Sequence, residues 1–339
     1  MINPIKKIGI ITSGGDAPGM NAAIRSVVRT CAYNDIVPIG FYKGYDGLIN
    51  GKMTELNARS VKGIINKGGT ILKTARSKEF RSKKGRDKAF NVLKSNDIGG
   101  LITIGGDGTF TGGLIFSEEN NFPVIGIPAT IDNDIFGTSH TIGFDSACNT
   151  VMSAIDKIRD TASSHNRLFF IEVMGRDAGH IALNTGVASG AEEILIPEEN
   201  MGLDRLIQSL KRSQKTGKSS SIVVVAEGDN TGENVFELKK YVEKHLPEYE
   251  ARVSVLGHMQ RGGSPTCFDR VLASRLGVKS VEHLIDGQNN VMVGLINNKV
   301  EITPFKKALK GITKINTCLL YTSDAADDTP CVDLGGRRI

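Results

Sequence analysis

Three short stretches gather residue types that can do chemistry at close spacing. "LITIGGDGTFTGG" (Leu101–Gly113) sets Asp107 between glycines, and "PATIDNDI" (Pro128–Ile135) sets Asp132 and Asp134 on either side of Asn133. "ITSGGDAPGMNAAI" (Ile11–Ile24) carries a glycine pair at the end of an apolar run. A glycine turn between strand and helix lets backbone N–H groups approach a phosphate, and the helix N-terminus favours its charge. A lone carboxylate in such a turn suits Mg2+, which takes one or two carboxylates and completes its shell with substrate phosphate oxygens. An aspartate that only shapes a tight turn has the same sequence. The aspartates around Asn133 are open to three readings: a metal site, a base for the proton of an acceptor hydroxyl, or a polar turn.

Isolated cations follow in glycine-rich surroundings: Arg76, Arg167, Arg176, Arg252, His258 and Arg261. Guanidinium groups match phosphate geometry, so their number suits an acidic substrate. The Ile11–Ile24 stretch is neither a Walker A loop nor a GxGxxG turn, and no CxxC or Cys/His cluster offers a metal site.

The elements that must position these residues follow from hydrophobic periodicity. Strands are expected at Lys7–Thr12, Val37–Tyr42, Gly100–Ile104, Val124–Ile127, Leu168–Val173, Glu193–Ile196, Ile222–Ala226 and Arg252–Val255. Helices are expected at Met20–Tyr33, Val61–Asn66, Asp87–Ser95, Thr141–Arg159, Leu203–Lys215, Val235–His245 and Asp269–Ile285. Alternating β and α with continuous apolar strands predicts an α/β fold whose parallel sheet is covered on both faces. A change of domain is expected after "IDNDIFGTSHTIG" and again near Arg252–Gly263.

The bulk figures narrow the class. The 339 residues, 40% apolar and 23% charged, fit an ordinary globular chain of one large or two medium domains. A net charge of +5 without a long basic tract argues against a nucleic-acid-binding arm. Five scattered cysteines, an odd number, argue against a disulfide framework and for a reduced, cytosolic setting. No apolar run approaches membrane length, and the N-terminus runs into a strand without a cleavable signal. From Cys318 onward, "CLLYTSDAADDTPCVDLGGRRI" lacks periodicity, and residues 318–339 are expected to be a non-native tail of adaptor or vector origin.

Taken in order, "TSGGDAPGMNAAIR", "GGDGT", "TIDNDI", "DTASSHNR", "EVMGRDAGH" and "LGHMQRGGSP" closely resemble the bacterial-type ATP-dependent phosphofructokinases, over about residues 6–317. The resemblance implies two Rossmann-like three-layer αβα domains with largely parallel sheets. Residues 1–138 with about 252–303 would form the larger, ATP-binding domain, and 139–251 with about 304–317 the smaller, sugar-phosphate domain. It implies transfer of the ATP γ-phosphoryl group to the 1-hydroxyl of fructose 6-phosphate, the committed step of glycolysis.

Residue by residue, the resemblance makes Asp132 the general base, Asp134 its electrostatic companion, and Thr130 and Arg176 the groups around the transferring phosphoryl. Asp107 matches the Mg2+ ligand; Gly15, Arg76, Ser77, Gly106, Gly108 and Thr109 join it at ATP-binding positions. Fructose 6-phosphate falls to Thr130, Asp132, Met174, Gly175, Arg176, Glu227, His258 and Arg261, with Arg167 and Arg252 reaching in from a neighbouring subunit of a homotetramer. Arg25, Arg29, Arg59, Arg159, Glu192 and Lys218 match an effector site for ADP or phosphoenolpyruvate, although "TGKSSS" (Thr216–Ser221) has lost positive charge there.

Pyrophosphate-dependent relatives typically carry Asp where this chain has Gly108 and Lys where it has Ala129, so ATP is the expected donor. NAD and lipid kinases share GGDG but not the segments that follow. A non-catalytic sugar-phosphate sensor is expected to have lost Asp132 or Asp107, and both are present.

Overall fold

The computed structural model describes residues 5–165, 167–199, 202–215, 221–232 and 234–322. In chain order the elements begin β1 (Lys7–Thr12), α1 (Met20–Tyr33), β2 (Val37–Phe41), α2 (Gly44–Ile49), β3 (Met53–Glu55), α3 (Lys83–Ser95), β4 (Gly100–Gly105), α4 (Asp107–Asn120) and β5 (Val124–Pro128). They continue with α5 (Phe144–His165), β6 (Arg167–Val173), α6 (His180–Ser189), β7 (Glu193–Leu195), α7 (Leu203–Lys215), β8 (Ser221–Ala226), α8 (Val235–His245) and β9 (Glu250–Val255). Last come α9 (Cys267–Ile285), β10 (Val291–Ile296), β11 (Lys299–Pro304) and α10 (Phe305–Ala308), with 3-10 turns at Glu79–Arg81, Gly257–Arg261 and Thr317–Thr322.

The chain divides into two compact units: Met1–Ser146 with Arg261–Thr313, and Ala147–Gln260 with Lys314–Ile339. The first holds a seven-stranded sheet in the order β11-β10-β5-β4-β1-β2-β3. Its five inner strands are parallel, and both edges turn antiparallel through β10–β11 and β2–β3. Strands such as β4 are buried along their whole length, as expected of a sheet covered on both faces. Helix α1 buries Met20, Ala23, Ile24, Val27, Val28 and Cys31, a stripe at helical spacing. It packs against α9, where the Ser26 hydroxyl donates to the Ser274 carbonyl at 2.6 Å. Burial pushes the Cys31 thiol up to about 12, so it behaves as a core side chain and not as a nucleophile. An aromatic cluster fills the other face, with Tyr45 stacked on Phe80 at 3.9 Å and Phe110 on Phe305 at 5.2 Å.

The second unit holds a wholly parallel four-stranded sheet, β7-β8-β6-β9. Leu168, Phe170, Val223 and Val225 from its strands pack with Leu206, Leu210, Leu238 and Val242 from α7 and α8.

Three expectations change. Val61–Asn66 is not a helix: Val61 and Ile64 are buried at helical spacing, but Gly63 and Gly69 take φ of +70° and +64°, and residues 56–78 run as turns. Helix α4 was absent from the expected helices; it begins at Asp107 with Gly106 as its N-cap. The β10–β11 hairpin was absent from the expected strands; its turn is made by Asn297 and Asn298, both left-handed. Of the expected non-native tail, residues 323–339 lie outside the described residues. No described helix is long and apolar enough to cross a membrane.

Candidate active site

The order β3-β2-β1-β4-β5 reverses the direction of winding between β1 and β4. In open α/β sheets, ligands bind outside the carboxyl ends of the strands at such a switch point. There the first two glycine turns meet. Thr109 donates its hydroxyl to the Ser13 carbonyl at 3.0 Å, and the Ser13 N–H donates to the Ile104 carbonyl at 3.0 Å. Tyr45, fully buried, donates to the Thr109 carbonyl at 2.6 Å and fixes the same turn from below. A Cβ on Gly105 would stand 2.4 Å from both the Ser13 carbonyl oxygen and the Thr109 hydroxyl, so only glycine admits this approach. Asp107 and Gly108 are exposed on the first turn of α4, and Gly106 is half-buried beside them.

The third stretch leaves the end of β5, one strand further along. Asn133, left-handed at φ +55°, organises it. Its Oδ1 accepts the Thr141 N–H at 2.8 Å and the Thr141 hydroxyl at 3.3 Å, and its Nδ2 donates to the Ser139 carbonyl at 3.3 Å. Thr141 in turn donates to the Thr130 carbonyl at 2.6 Å. The Asp132 N–H donates to the Thr130 hydroxyl at 3.2 Å, and Asp132 is only 3% exposed. Asp134 is half-buried, and its carbonyl accepts from the Thr313 hydroxyl at 3.1 Å. Asp107, Asp132 and Asp134 therefore share the carboxyl edge of one sheet.

Arg261 belongs to the same unit and lies over the first turn. Its Nη1 donates to the Asp16 carbonyl at 3.3 Å and would stand 2.7 Å from a Cβ on Gly15. Arg76 is exposed and Ser77 half-buried; the Ser77 hydroxyl accepts the Phe80 N–H at 3.3 Å.

In the second unit, Met174, Gly175 and Arg176 follow β6, and Glu227 follows β8. The Glu227 Oε1 accepts the Gly175 N–H at 3.2 Å and the Arg176 N–H at 2.8 Å, holding Arg176 at φ +53°. Glu172 lies beside it; burial, reinforced by the Glu227 charge, pushes its carboxyl above the usual range. Gln260, 0% exposed, accepts the Met174 N–H at 3.2 Å and donates to the Gly257 carbonyl at 3.1 Å, while His258 in the same 3-10 turn is exposed. Arg167 and Arg252 both reach Glu250, the former through two bonds at 2.9 and 3.2 Å.

A family model described as phosphofructokinase matches residues 7–284. The chain belongs to that family. It is 54% identical over 319 residues to ATP-dependent 6-phosphofructokinase 1 of Thermus thermophilus, covering 94% of this chain and 98% of that protein. It superposes on phosphofructokinase from Saccharomyces cerevisiae with a TM-score of 0.87 at 32% identity, covering 95% of this chain and 48% of that one, so it spans about half the yeast chain. A pyrophosphate-dependent phosphofructokinase from Marinobacter aquaeolei shares the fold, with a TM-score of 0.84 at 20% identity, 95% of this chain and 88% of that one. The fold is thus shared with a pyrophosphate-dependent enzyme, whereas the Thermus relative at 54% identity is named ATP-dependent.

The positions expected to bind effectors fall in both units. Arg25 is half-buried and Arg29 exposed on α1, and Arg59 is exposed in the long turn segment. Arg159 donates to the Ser189 and Gly190 carbonyls at 2.6 and 2.9 Å, and Glu192, 2% exposed, accepts the Ile222 N–H. Lys218 lies outside the described residues.

Sequence reasoning passed over Asn133, Gln260 and Glu172. All three stood inside recognised motifs, but a polar side chain in a motif carries no sign of whether it faces a ligand or a backbone.

Proposed function

We propose that the chain transfers the γ-phosphoryl group of ATP to the 1-hydroxyl of fructose 6-phosphate, giving ADP and fructose 1,6-bisphosphate, the committed step of glycolysis. The observation that carries this is the placement of a buried aspartate, Asp132, beside two glycine turns at a sheet switch point. The donor name of the Thermus relative agrees with it.

Asp132 accepts the proton of the sugar hydroxyl as its oxygen attacks the γ-phosphorus. The bond from that phosphorus to the bridging oxygen breaks and ADP leaves. Asp134 supports the local field. Thr130 and Arg176 position the phosphoryl group and offset its developing charge, the kind of electrostatic help that dominates phosphoryl transfer. Gly15, Gly106, Gly108, Thr109, Arg76 and Ser77 hold the nucleotide. Met174, Gly175, Glu227, His258 and Arg261 hold the sugar phosphate, with Arg167 and Arg252 supplied by a neighbouring copy in a homotetramer. Arg25, Arg29, Arg59, Arg159, Glu192 and Lys218 serve ADP or phosphoenolpyruvate as effectors.

Mg2+ fits the residues present. No group of three or more His, Cys, Asp or Glu could hold a metal among the described residues, whereas the exposed Asp107 on a phosphate-type turn suits an ion bound mainly through donor phosphates. Held by Asp107, Mg2+ would neutralise charge on the β- and γ-phosphates. The exposed Gly108 and buried Ala129 place no added charge at the two positions that mark pyrophosphate users.

The deciding experiment supplies ATP or pyrophosphate with fructose 6-phosphate, using Asp132→Ser as control. Turnover with ATP and a fall of about 10²–10⁴-fold in the variant are expected. Preference for pyrophosphate would overturn the donor assignment, and equal rates for variant and wild type would overturn the base.

A further inference from the structure

Residues 56–78, which carry Arg76 and Ser77, contain no helix or strand. Their path is set by side chains elsewhere in the same unit. Asn21, on the first turn of α1 and 2% exposed, is the main one. Its Nδ2 donates to the Lys67 carbonyl at 3.0 Å and the Gly68 carbonyl at 3.1 Å, and its Oδ1 accepts the Ile71 N–H at 2.8 Å. One amide thus uses both donor hydrogens and its acceptor on one loop. Further along, Thr12 donates to the Lys73 carbonyl at 2.9 Å and pairs with the Thr70 hydroxyl at 3.0 Å, while Thr74 donates to the Gly14 carbonyl. The Lys43 N–H donates to the Leu72 carbonyl at 2.8 Å.

The geometry points to Asn21 as a positioning residue for the nucleotide: it sets where Arg76 and Ser77 stand relative to the Gly14–Gly15 turn. No expected ligand role falls on Asn21, and its three hydrogen bonds leave its amide no hydrogen for a ligand. A carboxylate could accept from Ile71 but would set negative charge against two carbonyl oxygens, and an apolar residue would leave those carbonyls and one N–H unpaired. Asparagine is the residue that serves all three bonds. The inference rests on the assignment of Arg76 and Ser77 to ATP under the proposed function.

The test is steady-state kinetics of wild type and Asn21→Ala with ATP and fructose 6-phosphate varied separately, together with tryptic cleavage at Lys67, Lys73 and Arg76. Small displacements of positioning groups have large kinetic effects, so KM for ATP should rise by about tenfold or more in the variant. KM for fructose 6-phosphate should change by less than about threefold, and loop cleavage should accelerate. A general loss of folding would instead lower the active fraction without separating the two KM values. Equal KM values for ATP in wild type and variant, or equal rises for both substrates, would overturn the inference. If Asn21→Ala does not fold, Thr74→Val loosens the same loop at another bond, and the same outcomes decide. Wild type that fails to turn over ATP and fructose 6-phosphate refutes the proposed function itself, a result distinct from a failed split between the KM values.

Discussion

The guanidinium of Arg261 lies so close over Gly15 that a Cβ on the glycine would stand 2.7 Å from Nη1. A residue expected to hold the sugar phosphate thus shares the first turn with one expected to serve the nucleotide. The obstructed atom is the end of a flexible side chain, so Gly15→Ala should move Arg261 without unfolding the unit. KM for fructose 6-phosphate is expected to rise about tenfold, near 1.4 kcal/mol. Groups in contact are not additive. The double variant Gly15→Ala, Arg261→Ala should therefore be little worse than Arg261→Ala alone, and fully additive losses would refute the link.

Asn133 holds the Asp132 turn through three hydrogen bonds from a left-handed backbone. Asn133→Ala loses those bonds and places a Cβ residue where asparagine is better tolerated, a conformational penalty of roughly 1–2 kcal/mol. Melting temperature and kcat should both fall. Asn133→Gly relieves the backbone strain without replacing the bonds, so it should regain part of the melting temperature while kcat stays low. Recovery of both by glycine would show that the side chain's bonds are irrelevant to turnover.

Alternating apolar strands made the parallel core legible from sequence, and the three turns at its carboxyl edge were legible with it. Helix α4 was not, because "TFTGGLIF" is apolar on several faces and its Gly112 and Gly113 pack against the Tyr45 ring, which hides the amphipathic period. The segment around Val61 misled in the opposite way: two buried residues at helical spacing lie among glycines that break a helix. At the site, the charged residues were legible by type, apart from Glu172. The amides of Asn21, Asn133 and Gln260 were not, since their partners are backbone groups up to 86 positions away in sequence.

Gly108 gives a test of donor choice that does not disturb the fold. A Cβ there meets nothing within 4 Å, and the position lies in the first turn of α4. An aspartate at that helix end is favourable by about 0.3–1 kcal/mol. Gly108→Asp should therefore keep or slightly raise the melting temperature while adding a carboxylate beside the proposed nucleotide phosphates. A fall in kcat/KM for ATP of about 100-fold is expected, near 3 kcal/mol. An unchanged kcat/KM would remove position 108 from the donor argument.

Asp269 ties α9 to the first turn of α5, and its titration should be visible in stability. Its carboxylate is 0% exposed and accepts from the Gly143 N–H at 2.9 Å, the Ser146 N–H at 2.8 Å and the Ser146 hydroxyl at 2.6 Å. Burial outweighs those bonds and raises it from 3.8 to about 6, with the nearby Asp145 charge acting in the same direction. The folded state therefore holds this proton more tightly than the unfolded chain between about pH 4 and 6, so stability from this group falls as pH rises through that window. The full effect is on the order of 3 kcal/mol, complete above about pH 7 and gone below about pH 3. Asp269→Asn cannot titrate, so the melting temperature of wild type relative to the variant should climb as the buffer is taken from pH 7 to pH 4.5. Curves that stay parallel across this range would mean that the carboxylate is paired well enough to remain charged throughout it.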